Sequence, residues 1–540
     1  MSDDEPASDG LPDYVRGLRD PRAYPEPPDQ VQLVQTHISY VFIAGDVVYK
    51  TKKPVDFGFI NQTTLADRER FCHAEVRLNS RQAPQVYLGV APVVRLADGG
   101  FAAEPPEGTP GEIVEWAVKM RRLPDDATLD RLLAAGQAPS DILERLSGAL
   151  VPFHEHAARV EGGPEFAGAA GMLQWWTREY SEAEGYIGST WEPADAQATR
   201  AFIDETLERE AALFDERLAD GRVVEGHGDM QAKHVYVLGP AAEDLAIIDC
   251  IEFTEWFNMR YGDVSYDLAF LAMDLEAQGY PDLGDELAGR YLAATADETL
   301  PVLQPLHRTF RAFVRGKVES IGAHAQEIEA AQREALGASA ARYFHLAAEY
   351  GRRRAAPSLV VLSGPSGTGK SLIGATLAAR VGAAYVSSDA VRKRLAGLDI
   401  HDGASAEFRE GLYTPEMTAR TYEEMGRRAA HHLSLGRAVV LDGTHGLAEQ
   451  RRVAVQVGSE AGVPALIVEL RLTDDAALAR IVNRERDPLR TSDAGTDVYH
   501  QQLAGFEPVT AAEGTRLALD SSQPPAMLAH EIAEWMEHPA

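Results

Sequence analysis

Short apolar runs broken by polar residues fill positions 31–120: VQLV, YVFIAG, DVVYK, VYLGVAPVV and EIVEWAVKM, with one stretch of helical period over 66–81. That pattern predicts a small, mainly β lobe with a single helix. From 125 to about 346 the apolar positions recur at helical spacing, as in DRLLAAG, DILERLSGALVPFHEHAARV and TRAFIDETLEREAALFDERL. One β-like island, VVEGHGDMQAKHVYVL followed by LAIIDCIEF, interrupts the helical region. Past 358 the period changes to strand then helix, repeatedly: LVVLSG, SLIGATLAARV, AAYVSS, DAVRKRLAG, a helix over 419–435, AVVLDG, a helix over 447–461, ALIVELRL, DAALARIVNRER, RLALD and a last helix. Alternating βα units imply a parallel sheet covered by helices on both faces.

A chain of 540 residues exceeds one ordinary hydrophobic core, so several domains are expected. The predicted fold class is a multidomain mixture of α+β and α/β parts. An acidic, Pro-rich leader over 1–29 is expected to be disordered, a first domain spans 30–346 (small lobe 30–120, helical lobe 121–346), a linker with the basic run Arg352 to Arg354 spans 347–357, and an α/β domain spans 358–540. No repeat of the solenoid kind is present.

Composition narrows the function classes. A net charge of −31 repels nucleic-acid backbones and anionic membranes, which argues against nucleic acid as a partner of the whole chain while leaving a local basic cleft open. Cys72 and Cys250 lie far apart and outside any metal-type spacing, which fits a reducing compartment. No basic segment followed by an apolar one opens the chain, and no apolar run approaches the roughly 20 residues that span a bilayer. A soluble, cytoplasmic protein with no membrane partner is the expectation. Only 8 of the 52 basic residues are lysines, so a lysine is informative where it stands: Lys370, and the cluster Lys50, Lys52 and Lys53.

Lys370 belongs to the strongest motif. Gly364, Gly369, Lys370 and Ser371 fit G-x-x-x-x-G-K-[ST], between a buried strand, LVVLS, and a helix, SLIGATLAARV. Gly364, Gly367, Thr368 and Gly369 form the loop whose backbone N–H groups turn toward phosphates, Lys370 reaches the β and γ oxygens, and Ser371 holds magnesium. ATP and Mg²⁺ are the implied cofactors. Asp389, in SSDAVRKRLAG, falls at the carboxyl end of the second strand, where parallel sheets place their ligands; it is also a good helix cap. Asp442 ends a later strand and reads either as the carboxylate that orders magnesium or as an ordinary turn residue. Arg480 and Arg484 are four apart and share a helix face, with Arg486 and Arg490 beyond in a segment broken by Pro488.

The region from Leu359 onward resembles the small P-loop kinases of the polynucleotide-kinase, gluconate-kinase and chloramphenicol-phosphotransferase type. The resemblance implies that Asp389 is the general base for an acceptor hydroxyl, that Arg392 holds the acceptor, and that the arginines form a lid over the transferred phosphoryl group. HGDMQAKHVYV and AIIDCIEF resemble the catalytic segments of aminoglycoside phosphotransferases, a protein-kinase-like fold. That implies a catalytic Asp229, metal-binding His234 and Asp249, and a strand lysine, Lys50, paired with Glu75 on the helix; Lys52 is an alternative on the same strand face. The N-terminal segment departs from the pattern: His234 replaces an Asn, Gln231 a second His, and Thr36, His37 and Ser39 stand where phosphate-covering glycines belong. GDVSYDLAFL also matches, with Asp267 as an internal hydrogen-bonding residue, while His154 and His156 sit on opposite sides of a helix and do not form a metal pair. The whole resembles bacterial fusions of an aminoglycoside-phosphotransferase-like domain with a P-loop kinase, implying phosphoryl transfer from ATP to a small hydroxyl-bearing substrate. A nucleotide-controlled binding protein with an N-terminal pseudokinase and a 5′-hydroxyl polynucleotide kinase stay open as alternatives.

Overall fold

The structure is a computed structural model that describes residues 10–58, 60–253, 259–326, 328–402, 412–484, 486, 489–492 and 494–537. It divides into two compact units: Met1–Ala138 with Ala157–Val160 and Val224–Gly262, and Pro139–His156 with Glu161–Val223 and Asp263–Ala540.

In the first unit, β1 (Val31–Gln35), β2 (Ser39–Ala44), β3 (Val47–Lys52), β4 (Tyr87–Leu96), β5 (Phe101–Ala103) and β6 (Gly111–Arg121) form an antiparallel sheet in the order β1-β2-β3-β6-β4-β5. Strand alternation divides β3 between two environments. Tyr49 enters an apolar core with Phe42, Val93 and Ala117 on one face, whereas Lys50 and Lys52 face helix α2 (Leu65–Asn79) on the other. Thr64 caps α2 by accepting the Asp67 N–H at 3.1 Å. A short antiparallel hairpin, β7 (Val235–Val237) and β8 (Leu245–Ile247), adds Ala246 to a second core with Cys72, Val86 and Val118. Both cysteines are buried free thiols. The leader differs from expectation. Residues 10–29 are ordered against the sheet, with a short helix, α1 (Asp13–Gly17), and Val15, Leu18, Ala23 and Tyr24 buried in the first core; residues 1–9 lie outside the described residues.

The second unit contains helices α3 (Pro281–Thr295), α4 (Leu300–His324) and α5 (Ala330–Arg352), then a five-stranded parallel sheet. Its strands are β9 (Leu359–Ser363), β10 (Ala384–Ser387), β11 (Val439–Asp442), β12 (Ala465–Arg471) and β13 (Thr515–Asp520), in the order β10-β11-β9-β12-β13. Every residue of β9 is buried, as the run LVVLS predicts for a central strand. An aromatic core of Trp191, Phe313 and Phe344 holds the helical part, with Trp191 and Phe344 stacked at 4.5 Å.

The expected linker at 347–357 is not a free connector. α5 continues through Arg352, Ala347, Ala348 and Tyr350 are buried, and the Ala355 N–H donates to the Val381 carbonyl at 3.1 Å. The helical part and the sheet share one unit because their surfaces interlock. α3 lies so close to helix α6 (Lys370–Val381) that a Cβ on Gly289 would fall 2.7 Å from the Thr376 Cα. Arg437 pairs with the buried Glu210 at 2.6 Å. The edge strand β10 is extended by a bond from the Tyr385 N–H to the Glu298 carbonyl at 3.0 Å.

Candidate functional site

β9 runs through the middle of the parallel sheet, so the turn after Ser363 opens at its carboxyl edge. Gly364, Gly367 and Gly369 adopt φ of 151°, 81° and 85°. A Cβ would lie 2.8 Å from the Leu470 carbonyl oxygen at Gly364 and 2.6 Å from that of Ala477 at Gly367, so backbone angle and space both require glycine. The loop turns inward, and α6 starts at Lys370 with its N-terminal amides and dipole directed at the same space. Thr368 is pinned by donating to the Pro365 carbonyl at 2.8 Å. Lys370 Nζ donates to the same carbonyl at 2.7 Å. Burial pushes this ammonium down to about 8, with Arg484 acting in the same direction and Asp442 and Asp389 opposing. A desolvated cation beside a ring of backbone amides fits a polyphosphate.

Asp442 ends β11 next to β9. Burial raises its carboxyl above the usual range, while hydrogen bonds from Tyr385 (2.6 Å) and the Ser371 hydroxyl favour its ionised form. Ser371 and Asp442 therefore meet as an oxygen pair at the foot of the loop, a donor set that suits hard magnesium. Asp389 lies in the first turn of α7 (Ser388–Leu395), after β10. Ser387 caps that helix, so Asp389 is not the cap; its Oδ1 accepts from Arg392 at 2.9 Å. Arg392 lies over the Tyr413 ring at 4.8 Å, and its buried Nε has no hydrogen-bond partner among the described residues.

Arg480 and Arg484 share one face of helix α8 (Asp474–Arg484), as their spacing predicts. Arg480 donates to the Ser521 carbonyl at 2.8 Å, and its Nη1 lies 3.1 Å from where a Gly369 Cβ would stand. Arg484 donates to the Ala494 carbonyl at 2.7 Å. Arg486 and Arg490 follow, and Pro488 lies outside the described residues.

Two neighbours of the loop escape sequence reasoning. His445, held at φ 37°, is buried against Tyr422, donates from Nδ1 to the Leu362 carbonyl at 2.8 Å, and is pushed down to about 4 by burial, so it is neutral near pH 7. The Gln502 Oε1 accepts the Ser366 N–H of the loop at 2.8 Å. The TH that follows Asp442 was a visible signal for His445; Gln502, in an ordinary helical stretch, had none.

The N-terminal constellation assembles within the first unit. Lys50 Nζ bridges Glu75 at 2.9 Å and Asp249 at 3.1 Å, and Lys52, fully buried, bonds Glu75 and Glu252. Both lysines thus engage the helix carboxylate. The Lys50 ammonium, against the weaker opposing effect of burial, holds Asp249 well below the usual carboxylate range. Asp249 has φ 67°, a conformation non-glycine residues seldom adopt and which tends to occur at functional sites. His234 lies between the two acids: Nδ1 donates to the Asp229 carbonyl at 2.8 Å and Nε2 is 3.6 Å from Asp249 Oδ2. Gln231 donates to Asp229 Oδ1 at 2.7 Å. With its Nδ1 proton engaged, His234 presents only a nitrogen, Nε2, toward Asp249, a poor donor for magnesium. In the second unit, His154 is buried, 3.0 Å from Tyr291 and 3.4 Å from Asp267, and His156 is exposed, so the two histidines diverge. Among the described residues no group of three or more His, Cys, Asp or Glu could hold a metal by itself, and no helix is long and apolar enough to cross a membrane.

Residues 359–509 match the AAA domain family. Among solved structures, a choline/ethanolamine kinase family protein from Mesorhizobium loti aligns over 60% of this chain and 92% of its own, at 11% identity and a TM-score of 0.34. A gluconokinase from Sinorhizobium meliloti aligns over 34% and 94%, at 19% identity and a TM-score of 0.25. Scores of this size leave the fold to be read from the chain's own strand order. Among protein sequences, the uncharacterized protein Mb2027c of Mycobacterium bovis is 32% identical over 457 residues, 84% of this chain and 86% of its own. Rv2004c of Mycobacterium tuberculosis, also an uncharacterized protein, gives the same figures. The chain belongs to the family of these mycobacterial proteins.

Proposed function

We propose that the protein is a phosphotransferase using ATP and magnesium, which transfers the terminal phosphoryl group to a hydroxyl of a small molecule at the P-loop site. The observation that carries this reading is the convergence on Lys370: a buried ammonium at an inward-turned glycine loop, under the influence of Asp442 from one strand end and Asp389 from the next. The loop amides, the α6 N-terminus and Lys370 hold the phosphates, and Ser371 and Asp442 hold magnesium, which when bound neutralises phosphoryl charge. Asp389 accepts the acceptor's proton. Its Oδ1 is held by Arg392, which leaves Oδ2 as the accepting atom, and Arg392 positions the acceptor. Arg480 and Arg484, already beside the loop, serve as the lid that offsets charge on the moving group. In the first unit, Lys50, Glu75, Asp229 and Asp249 form a second, protein-kinase-like constellation, in which His234 stands at the place of an oxygen ligand and weakens the hold on magnesium, as in a pseudokinase.

The test offers labelled ATP with sugars, aminoglycosides, nucleosides and a 5′-hydroxyl oligonucleotide. Transfer to a small hydroxyl acceptor, lost in Asp389→Asn while nucleotide binding persists, is the expected result. Undiminished transfer in Asp389→Asn would remove the base assignment. Hydrolysis of ATP with no labelled acceptor would instead favour a nucleotide-controlled binding protein.

A further inference from the structure

The turn that follows Asp442 at the end of β11 is tied to the start of the P-loop. The Thr444 carbonyl accepts the Gly364 N–H at 3.0 Å, and the His445 carbonyl accepts the Ser363 hydroxyl at 3.1 Å. On its other side the same turn holds a phenol. The His445 N–H donates to the Tyr422 hydroxyl at 3.0 Å, and the two rings meet edge to face with centroids 4.9 Å apart. Tyr422 lies on the helix Pro415–Ser434, and it packs so closely on the turn that a Cβ on Gly443 would stand 3.3 Å from its Cε1.

A phenol accepts at its oxygen and has one proton to give. The His445 N–H takes up the oxygen, and among the described residues nothing accepts the proton. Neither nearby acid is its partner: Asp442 receives the Tyr385 and Ser371 hydroxyls, and Asp389 receives the Arg392 guanidinium. Yet Tyr422 stands within the electrostatic reach of all three groups, Asp389 and Arg392 of α7 and Asp442 of β11. Burial, joined by the two carboxylates and opposed by the His445 N–H and Arg392, holds the phenol above its usual range, so near neutral pH it keeps its proton and acts as a donor. Asp389 marks the acceptor side of the site and Asp442 the magnesium side, and a phosphoryl group in transfer passes between them. Its oxygens only accept hydrogen bonds, which matches a donor left free beside that path.

We propose that Tyr422, oriented by the His445 N–H, donates its hydroxyl hydrogen bond to the terminal phosphoryl group of the bound triphosphate, a contact that a diphosphate cannot make. The inference rests on the phosphotransferase reading of the P-loop site above. The full chain and its Tyr422→Phe variant, which loses the hydroxyl and keeps the ring on His445, are titrated by calorimetry at pH 7 with the magnesium complexes of ADP and of the β,γ-imido analogue of ATP, which is not hydrolysed. The substitution should weaken the triphosphate analogue about tenfold and leave ADP within about twofold, as expected for one hydrogen bond to a charged group. Circular dichroism and thermal melting establish that the variant is folded. A role confined to bracing the turn at His445 would weaken both nucleotides alike, so equal weakening overturns the proposal, as does unchanged affinity for both. Failure of the wild-type chain to bind either nucleotide overturns the P-loop reading itself and this contact with it. Binding without transfer to any acceptor leaves the ratio of the two affinities to decide, and where transfer is observed its rate should fall in Tyr422→Phe with the ADP affinity intact.

Discussion

On the proposed reading of the P-loop site, the Lys370 ammonium makes nucleotide affinity depend on pH in a range where an ordinary lysine would not. Its folded value is about 8, against 10.5 for an unburied lysine, and burial is the main cause. In the empty protein the cost of keeping this cation desolvated is fully present below about pH 8 and is relieved as pH rises toward 10.5, because the unfolded chain then binds the extra proton. Binding reverses the balance. The phosphates restore a favourable environment for the charged form, so the nucleotide binds the protonated site, and above pH 8 it must first recruit a proton. With half protonation near pH 8, roughly nine sites in ten carry the charge at pH 7 and one in ten at pH 9, a fall in affinity of about tenfold or ~1.4 kcal/mol. A lysine at its ordinary value would lose only about 3% of its protonated sites by pH 9, and the phosphates are already ionised throughout this range. Calorimetric titration of magnesium nucleotide between pH 7 and 9 reads the slope, and proton uptake measured in buffers of different ionisation enthalpy checks its cause. Lys370→Arg should flatten the slope while lowering affinity, since a guanidinium keeps its charge but does not fit the space of an ammonium. An affinity flat from pH 7 to 9 in the wild-type chain would refute the argument.

Three further perturbations follow from the geometry. Gly367→Ala places a Cβ 2.6 Å from the Ala477 carbonyl at φ 81°, so nucleotide binding should be lost with a stability loss of about 1–3 kcal/mol, read by titration and thermal melting; retained affinity would show that the loop does not need this conformation. Arg437→Met leaves the buried Glu210 carboxylate without its main partner and should cost about 3–5 kcal/mol, whereas Arg437→Met with Glu210→Met should recover most of it; equal melting temperatures for single and double variants would contradict a buried pair. Lys52→Met should destabilise the first unit by a similar ~3–5 kcal/mol, because Glu75 and Glu252 are then buried together without the cation between them, and partial recovery at acid pH, as those carboxylates take up protons, is the accompanying sign.

What was legible in the sequence is what local geometry dictates. The glycine loop could be placed because its backbone angles and its contact with the Ala477 carbonyl admit no side chain. Lys50 and Lys52 could be assigned to one face because a strand alternates, and both do reach Glu75. What was not legible depends on residues brought together from far apart in the chain. The basic run at 352–354 reads as a polar connector until Glu276 and Asp195 are placed beside Arg353 and Arg352. The hydrophilic leader reads as disordered because its four anchoring residues, Val15, Leu18, Ala23 and Tyr24, are spread thinly among charges, and their burial follows from the sheet they meet. One signal was present and had a consequence for the domain boundary. The P-loop helix, KSLIGATLAARV, is apolar on nearly every side, and Ile373 through Ala379 are all buried. A helix on the outside of a free-standing α/β domain keeps a polar stripe; one apolar all round needs a second partner. α3 is that partner, reaching Thr376 through Gly289. The helix that would hold the phosphates is therefore clamped between the sheet and the helical part, and removing residues before 358 to isolate the P-loop domain should expose Thr376 and its neighbours and yield an aggregating fragment.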